Sequence, residues 1–159
     1  MNNIISLKVT GIGEHGKFFD DNAYCDAINY IADPAKAAYV GGCNISSVEH
    51  AAEEMQQTAE TYGKNSGKRV RHSIVSVGTK SDTSAEDAKV YAEKIAQYYQ
   101  PEYQTVYAVH QNTDNVHIHL VMNQISYVDG HRYRGKKQDF YAFKKHISEV
   151  THSPVVYVK

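Results

Sequence analysis

Two β-rich runs separated by a short polar turn constrain this chain most. Residues 104–109 and 116–126 are rich in Val, Ile, Leu, Tyr and Thr, and Asn112, Thr113, Asp114 and Asn115 between them are turn formers, so the two runs are expected to pair as a hairpin. The rest of the chain can be placed around this pair. Residues 6–10 read as a short strand. Asp21 or Asn22 caps a helix over 23–32 that Asp33-Pro34 stops, and Ser46 or Ser47 caps a second helix running to about 61. A strand is expected over 69–77, a helix from Thr83 or Ser84 to 99, and a hairpin turn at Asp129-Gly130 leading to a short strand around Tyr133. A helix over 138–150 and a strand over 155–158 complete the chain. Hairpins with helices interspersed imply an α+β fold, a central antiparallel sheet with flanking helices in a two-layer or three-layer sandwich, rather than a Rossmann-like parallel sheet.

The chain has 159 residues and no repeat, low-complexity tract or Pro/Gly linker, so a single domain over 1–159 is expected, with one site to find. No apolar run approaches the ~18 residues needed to cross a bilayer and the first residues lack a signal peptide's pattern, which points to an intracellular protein without membrane insertion. In such a compartment Cys25 and Cys43, which have no metal-ligand spacing, are expected to be free thiols.

A net charge of −1 does not advertise a nucleic-acid partner, but the distribution is lopsided. Residues 1–60 carry nine acidic groups against three basic, whereas Lys64, Lys68, Arg69, Arg71 and Lys80 fall within 61–80 with no acid. A second cluster, Arg132, Arg134, Lys136, Lys137, Lys144 and Lys145, is opposed only by Asp139. Two basic segments flanking a middle rich in tyrosine and histidine suit a phosphate backbone whose unpaired bases stack on aromatic rings. Two solvated loops would read the same way on charge alone.

Chemistry concentrates in residues 110–125. His117 and His119 alternate on a strand, so their imidazoles project from one face about 7 Å apart, close enough to converge on one ion. His110, ending the preceding strand, faces them across the hairpin. The three supply neutral nitrogen ligands for a divalent cation, with coordination positions left open for a substrate oxygen. Alternation likewise puts His72, Ile74 and Ser76 on one face of their strand.

His117-Ile118-His119 with the preceding His110, Asp114-Asn115 and the trailing Asn123 resembles the third motif of conjugative and mobilisation (Mob-type) relaxases, members of the tyrosine nuclease superfamily named for its His-hydrophobe-His signature. Asn112 stands where many members carry Asp. Two further stretches resemble the family's other motifs in the same order. Ala27 to Pro34 with Gly41-Gly42-Cys43-Asn44 is similar to the first motif, whose tyrosine is the nucleophile, and Tyr30 matches it. Arg71 to Val77 is similar to the second, whose serine contacts DNA beside the cleaved bond, and Ser76 matches it. The resemblance spans about residues 20–157 and implies the relaxase fold and a catalytic domain from the N-terminal part of a longer protein.

The activity implied is metal-dependent, site- and strand-specific nicking and rejoining of DNA at a plasmid or integrative-element origin of transfer, through a 5′-phosphotyrosine. A phosphodiester resists attack by a phenol until its charge is neutralised, which a His-bound Mg²⁺ or Mn²⁺ can do, and the phenol is a good enough leaving group to make rejoining possible without ATP. His72 and Asp114 are the candidates to take the phenol proton. Lys68, Arg69, Arg71, Arg132 and Arg134, with Ser76 and Asn123, are the expected DNA contacts. The family further implies single-stranded DNA and accessory DNA-binding and coupling proteins as partners, and a bacterial cytoplasmic enzyme that travels with the transferred strand. Two rival readings remain. A rolling-circle replication initiator would use Tyr141 with Lys144 or Lys145 downstream of the histidines, and a non-catalytic repressor would use only the basic segments.

Overall fold

The computed structural model describes residues 5–10, 19–111 and 114–158. Among them six strands and four helices follow in the order β1 (Ile5–Thr10), α1 (Ala23–Ile31), β2 (Ala37–Cys43), α2 (Ala51–Thr61), β3 (Val70–Thr79), α3 (Ala85–Ala96), β4 (Thr105–His110), β5 (Asn115–Asn123), α4 (Lys137–Thr151) and β6 (Val155–Tyr157). The strands form one sheet in the order β2-β4-β5-β3-β1-β6. Every pair is antiparallel except β1 with the short edge strand β6. The expected α+β sandwich around an antiparallel sheet is present, in three layers, with one parallel pair at its rim. The β4–β5 hairpin also forms as expected, with His110 directly opposite His117.

Strand alternation divides the side chains between two cores. Val116, Ile118, Leu120 and Met122 of β5 join Tyr107, Val109, Val75 and Leu7 beneath Ala88, Ala92 and Ile95 of α3 and Phe143 and Ile147 of α4. On the other face Val70, Val106, Ala108 and Val121 meet Tyr24, Ala27, Ile28 and Ile31 of α1 and Met55 and Ala59 of α2. Full burial of each large aliphatic side chain contributes roughly 1.5–3 kcal/mol, which is what holds a three-layer domain of this size together.

Three local expectations need correction. The strand β2 lies where the paired glycines read as a motif without an element. The glycines serve the pairing itself, since a Cβ on Gly41 would come within 2.3 Å of the Tyr107 hydroxyl and one on Gly42 within 2.4 Å of the Thr105 carbonyl. The second helix starts at Ala51, later than expected, because its serines hold the turn before it: Ser47 Oγ accepts from His50 N (3.2 Å), and Ser46 N and Oγ both donate to Glu54. Around Tyr133 there is a single bridge, Ile125 with Arg132, and no strand; positive φ at Gly130 and Gly135 turns the chain away on either side. By contrast Ser84 caps α3 as expected, accepting from Asp87 N at 3.0 Å. Cys25 and Cys43 are free.

Candidate active site

The site lies where the α1/α2 layer stops short of the β1 side of the sheet. Ser6 and Lys8 of β1 and Ile74 and Ser76 of β3 point to the same face as His117 and His119 of β5. With His110, Tyr30, Lys36 and Val158 they line a cleft of about 360 Å³. Ser76 sits directly opposite His117 in the β3–β5 pairing, and Ser6 opposite Ser76 in the β1–β3 pairing.

Tyr30 reaches this cleft because of how α1 ends. Ala27, Ile28 and Ile31 bury the inner stripe of the helix, which turns Tyr30 outward, 54% exposed, in the last turn. The carbonyl of Ile31 is one of those a helix C-terminus leaves without an intrahelical donor, and His110 Nε2–H donates to it at 2.6 Å. The end of β4 thereby anchors the end of α1. The Tyr30 ring stands edge-on to His72 and His119, at 6.0 and 6.3 Å between centroids. Lys36 Nζ lies 4.6 Å from the centre of the Tyr30 ring.

Two of the imidazoles, His117 and His119, are held neutral. Burial, with the neighbouring His110, His72 and His117 and then Lys36, pushes the pKa of His119 down to about 2. Burial and His110 lower that of His117. His110 and His119 are 4.0 Å apart between ring centres, and His117 and His119 6.4 Å. The three expected ligands are neighbours, and three imidazoles are a donor set that fits a divalent cation in number and type. Their expected convergence on one point is not realised: among the described residues no three His, Cys, Asp or Glu side chains are arranged to hold an ion, and one nitrogen of His110 is committed to Ile31.

The other expected site residues separate into three groups. His72 shares the site's face but is buried, with Nδ1 3.0 Å from Thr10 Oγ1 and Nε2 2.9 Å from His119 Nδ1, so both nitrogens are committed and it is not placed to take a proton from Tyr30. Asp114 is exposed in the hairpin turn, where its carbonyl accepts from Lys80 N, and does not line the cleft. Asn112, the departure from the motif, lies outside the described residues.

Several expected DNA contacts do structural work instead. Asn123 is fully buried; its Nδ2 donates to Met55 O (3.2 Å) and Gln104 Oε1 (3.0 Å), and its Oδ1 accepts from Ile125 N (3.1 Å), which removes it from any surface. Arg69 is 6% exposed, and its guanidinium donates to the carbonyls of Phe19, Asn65 and Gly67 and to Asp21, so it clamps the chain around α1 rather than meeting phosphates. Arg132 donates to the carbonyls of Lys68 and Ser66, stitching the two basic segments together. Arg71 alternates to the opposite face of the sheet, where its guanidinium lies over Tyr133 at 5.2 Å. Arg134 is exposed on that same side, and Lys68 is partly exposed.

Four residues of the site were missed in the sequence: Ser6, Lys8, Thr10 and Lys36. The first three carry a legible signal, since they alternate with Ile5, Leu7 and Val9 and so define the polar face of β1.

The sheet, its histidine-rich strand pair and the tyrosine above it are the ground for comparison with known proteins. The family model for relaxases described as MobA/VirD2-like, nuclease domain, matches residues 30–153, from Tyr30 to just past the end of α4. That match fixes the class as a relaxase nuclease domain. The chain belongs to the MobA/VirD2-like relaxase family. Among curated relatives, a protein rlx of Staphylococcus aureus is 25% identical over 119 residues, 75% of this chain and 36% of that protein. A second rlx protein of the same species is 25% identical over 124 residues. Protein TraI of Escherichia coli is 32% identical over 104 residues, 61% of this chain and 14% of TraI. The chain thus spans about a third of the length of the rlx relatives and a seventh of TraI. No helix among the described residues is long and apolar enough to cross a membrane.

Proposed function

We propose that this domain nicks and rejoins one strand of DNA at the origin of transfer of a plasmid or integrative element, with Tyr30 as nucleophile and a 5′-phosphotyrosine as intermediate, as the opening step of conjugative transfer. The observation that carries the proposal is Tyr30 itself, outward from α1, edge-on to His72 and His119 and beside Lys36. Its hydroxyl oxygen attacks the phosphorus and gives up its proton to solvent, the bond to the 3′ oxygen breaks, and the departing strand takes up a proton from solvent as a 3′ hydroxyl. Rejoining is the same displacement reversed.

A divalent cation, Mg²⁺ or Mn²⁺, would be held by His110, His117 and His119, and when bound it neutralises charge on the scissile phosphate. The chain's own groups do the rest. Lys36 and Lys8 put positive charge at the cleft where the phosphate must lie, and Ser76, opposite His117, offers a hydroxyl to the strand beside the cleaved bond. Holding the phosphate in line with the phenol removes most of the entropic barrier to displacement. Lys68 and Arg134 are proposed to contact the DNA beyond the nick. The replication-initiator arrangement finds no support: Tyr141 is exposed on α4, in the layer over the opposite face, with Lys137 and Lys144 about its ring. Accessory DNA-binding and coupling proteins, a bacterial cytoplasmic setting, transfer with the strand, and further domains in a longer chain belong to the same proposal.

The test is incubation with single-stranded origin-of-transfer oligonucleotides, labelled at either end, with and without Mn²⁺. A denaturant-resistant adduct carrying the 3′-side fragment is expected, together with a free 3′ hydroxyl on the other fragment. Cleavage that leaves no protein attached would contradict the tyrosine mechanism.

A further inference from the structure

We infer that the cleft on the α3/α4 face is a second seat for the DNA strand, holding one of its backbone phosphates among Arg71, Arg134 and Lys136. The inference rests on the proposed action on single-stranded DNA and adds where a strand too long for the active-site cleft runs.

Arg71 carries it. Its side chain is partly buried and its guanidinium lies over the Tyr133 ring at 5.2 Å, but among the described residues it meets no hydrogen-bond acceptor and no carboxylate. Its Nε is sealed from solvent and unpaired. The guanidinium groups of Arg69 and Arg132, by contrast, are spent on backbone carbonyls. Donors left unmade in a protected place cost stability, and a phosphate oxygen would supply the acceptor that the protein does not.

The surroundings keep Arg71 open to an anion. Gly135, at φ 62°, lines the cleft beside it, and a Cβ there would lie 3.3 Å from Arg71 Nη1. On either side of this glycine Arg134 and Lys136 are exposed and line the same cleft. The acids of the cleft are Glu102 and Asp139. Both oxygens of Asp139 accept from phenols, Oδ1 from Tyr98 at 2.7 Å and Oδ2 from Tyr133, and Glu102 lies 3.9 Å from His131 Nε2. Cations are therefore in excess where a phosphate would sit. The volume of about 460 Å³ falls within the roughly 300–1,000 Å³ of sites that enclose a small ligand. Tyr98, Pro101 and Tyr103 add an aromatic and apolar wall, which favours a nucleotide over a bare anion.

The position favours a strand over a free nucleotide. Arg71 and Ser76 project from opposite faces of β3, about 17 Å apart along it. At a stacked spacing of about 3.4 Å, a strand occupying both clefts must run at least about five nucleotides beyond the first.

The test uses the Tyr30→Phe protein, so that nothing is cleaved, and fluorescein-labelled oligothymidylates of increasing length, with binding read by fluorescence anisotropy. Affinity is expected to rise in a step of about 10-fold once the strand is long enough to reach the second cleft, and Arg71→Met should remove that step. The same substitution should leave the melting temperature at or above its starting value, because an unpaired cation is removed while the contact with the Tyr133 ring is kept. A lower melting temperature with the step intact would make Arg71 a structural residue and overturn the inference. A long strand carrying 5-iodouracil should, on irradiation, crosslink to the peptide containing Tyr98 or Tyr133. Crosslinks confined to the Tyr30 face, or a cleft that thymidine monophosphate fills as tightly as the long strand, would also overturn it. If the step is present but native protein forms no adduct with any DNA, the nuclease reading fails and the second seat stands; nicking without a step gives the reverse.

Discussion

On the face covered by α1 and α2 a tyrosine stands half-exposed among imidazoles. On the face covered by α3 and α4 a larger cleft, about 460 Å³, is lined by Tyr98, Tyr99, Tyr103 and Tyr133 with Arg132, Arg134 and Lys136. By volume, aromatic content and positive charge the second cleft is the more obvious site for a nucleic acid. Its phenols are nevertheless committed. Tyr98 and Tyr133 both donate to Asp139, and Tyr103 pairs with His131 Nε2 at 2.6 Å. Burial, then the bond to Asp139, pushes Tyr133 up to about 12, and burial raises Tyr98, Tyr99 and Tyr103 as well. A phenol that is buried, donating and raised is a structural group. What separates Tyr30 from these four is its outward face and its imidazole neighbours, not its residue type.

The largest expected effect breaks that comparison at the hydroxyl. Tyr30→Phe is expected to abolish nicking while keeping the fold and most DNA affinity, since only an exposed oxygen is removed. Tyr103→Phe is expected to leave nicking within about 2-fold and to cost about 1 kcal/mol of stability through its lost hydrogen bond. Denaturant melts and gel assays on the same preparations check both. Should Tyr103→Phe also stop nicking without unfolding the protein, the two faces would not be functionally distinct.

Next come the arginines. Arg69→Ala removes a buried cation that satisfies three carbonyls and Asp21, and is expected to destabilise the domain by about 3 kcal/mol. Arg134→Ala, at an exposed position, should stay within about 0.5 kcal/mol of native. Equal losses would mean that Arg69 is not a clamp.

These residues also show how far the sequence could be read. The β4–β5 hairpin, the helices and the face shared by His72, Ser76, His117 and His119 follow from period and turn chemistry, because a strand assigns its faces strictly by alternation. Whether a polar side chain on that strand looks outward or inward does not. Asn123 sits on β5 like a site residue but is sealed beneath α2, where Met55 supplies its acceptor. Arg69 and Arg134 are alike as letters in basic segments and opposite in burial, since the distinction is made by carbonyls from residues far away in the chain. The strand β2 was illegible for a related reason: its pair of glycines carries no strand signal until the Tyr107 ring that requires one of them is in place.

A smaller effect concerns acid. The folded pKa of His119, about 2, lies below its unfolded value near 6.5, so the folded state favours the neutral form. The unfolded chain then binds more protons below pH 6.5, and the metal-free domain is expected to lose stability as pH falls from there toward the folded value, by up to about 1.4 kcal/mol per unit from this group. His119→Asn should flatten that slope between pH 6 and 4. An unchanged slope would show that the imidazole is not held neutral by its surroundings.

The smallest effect sharpens the comparison by reach. With an oligonucleotide only long enough to fill the cleft, Lys36→Ala should lower the salt dependence of binding by about one unit of slope, and Arg134→Ala should not change it. With a longer strand both should do so. A response to Arg134→Ala with the short strand would bring the two faces into one binding path.

The central claim, that Tyr30 is the nucleophile, is tested most directly by mapping the covalent adduct. Native protein is incubated with a cleavable single-stranded origin-of-transfer oligonucleotide and Mn²⁺, digested with trypsin, and analysed by mass spectrometry for the nucleotide-bearing peptide. The expected result is one modified peptide, the one containing Tyr30, with the nucleotide joined through its 5′ phosphate. An adduct on the peptide containing Tyr141, or on any of the tyrosines of the opposite face, would contradict it.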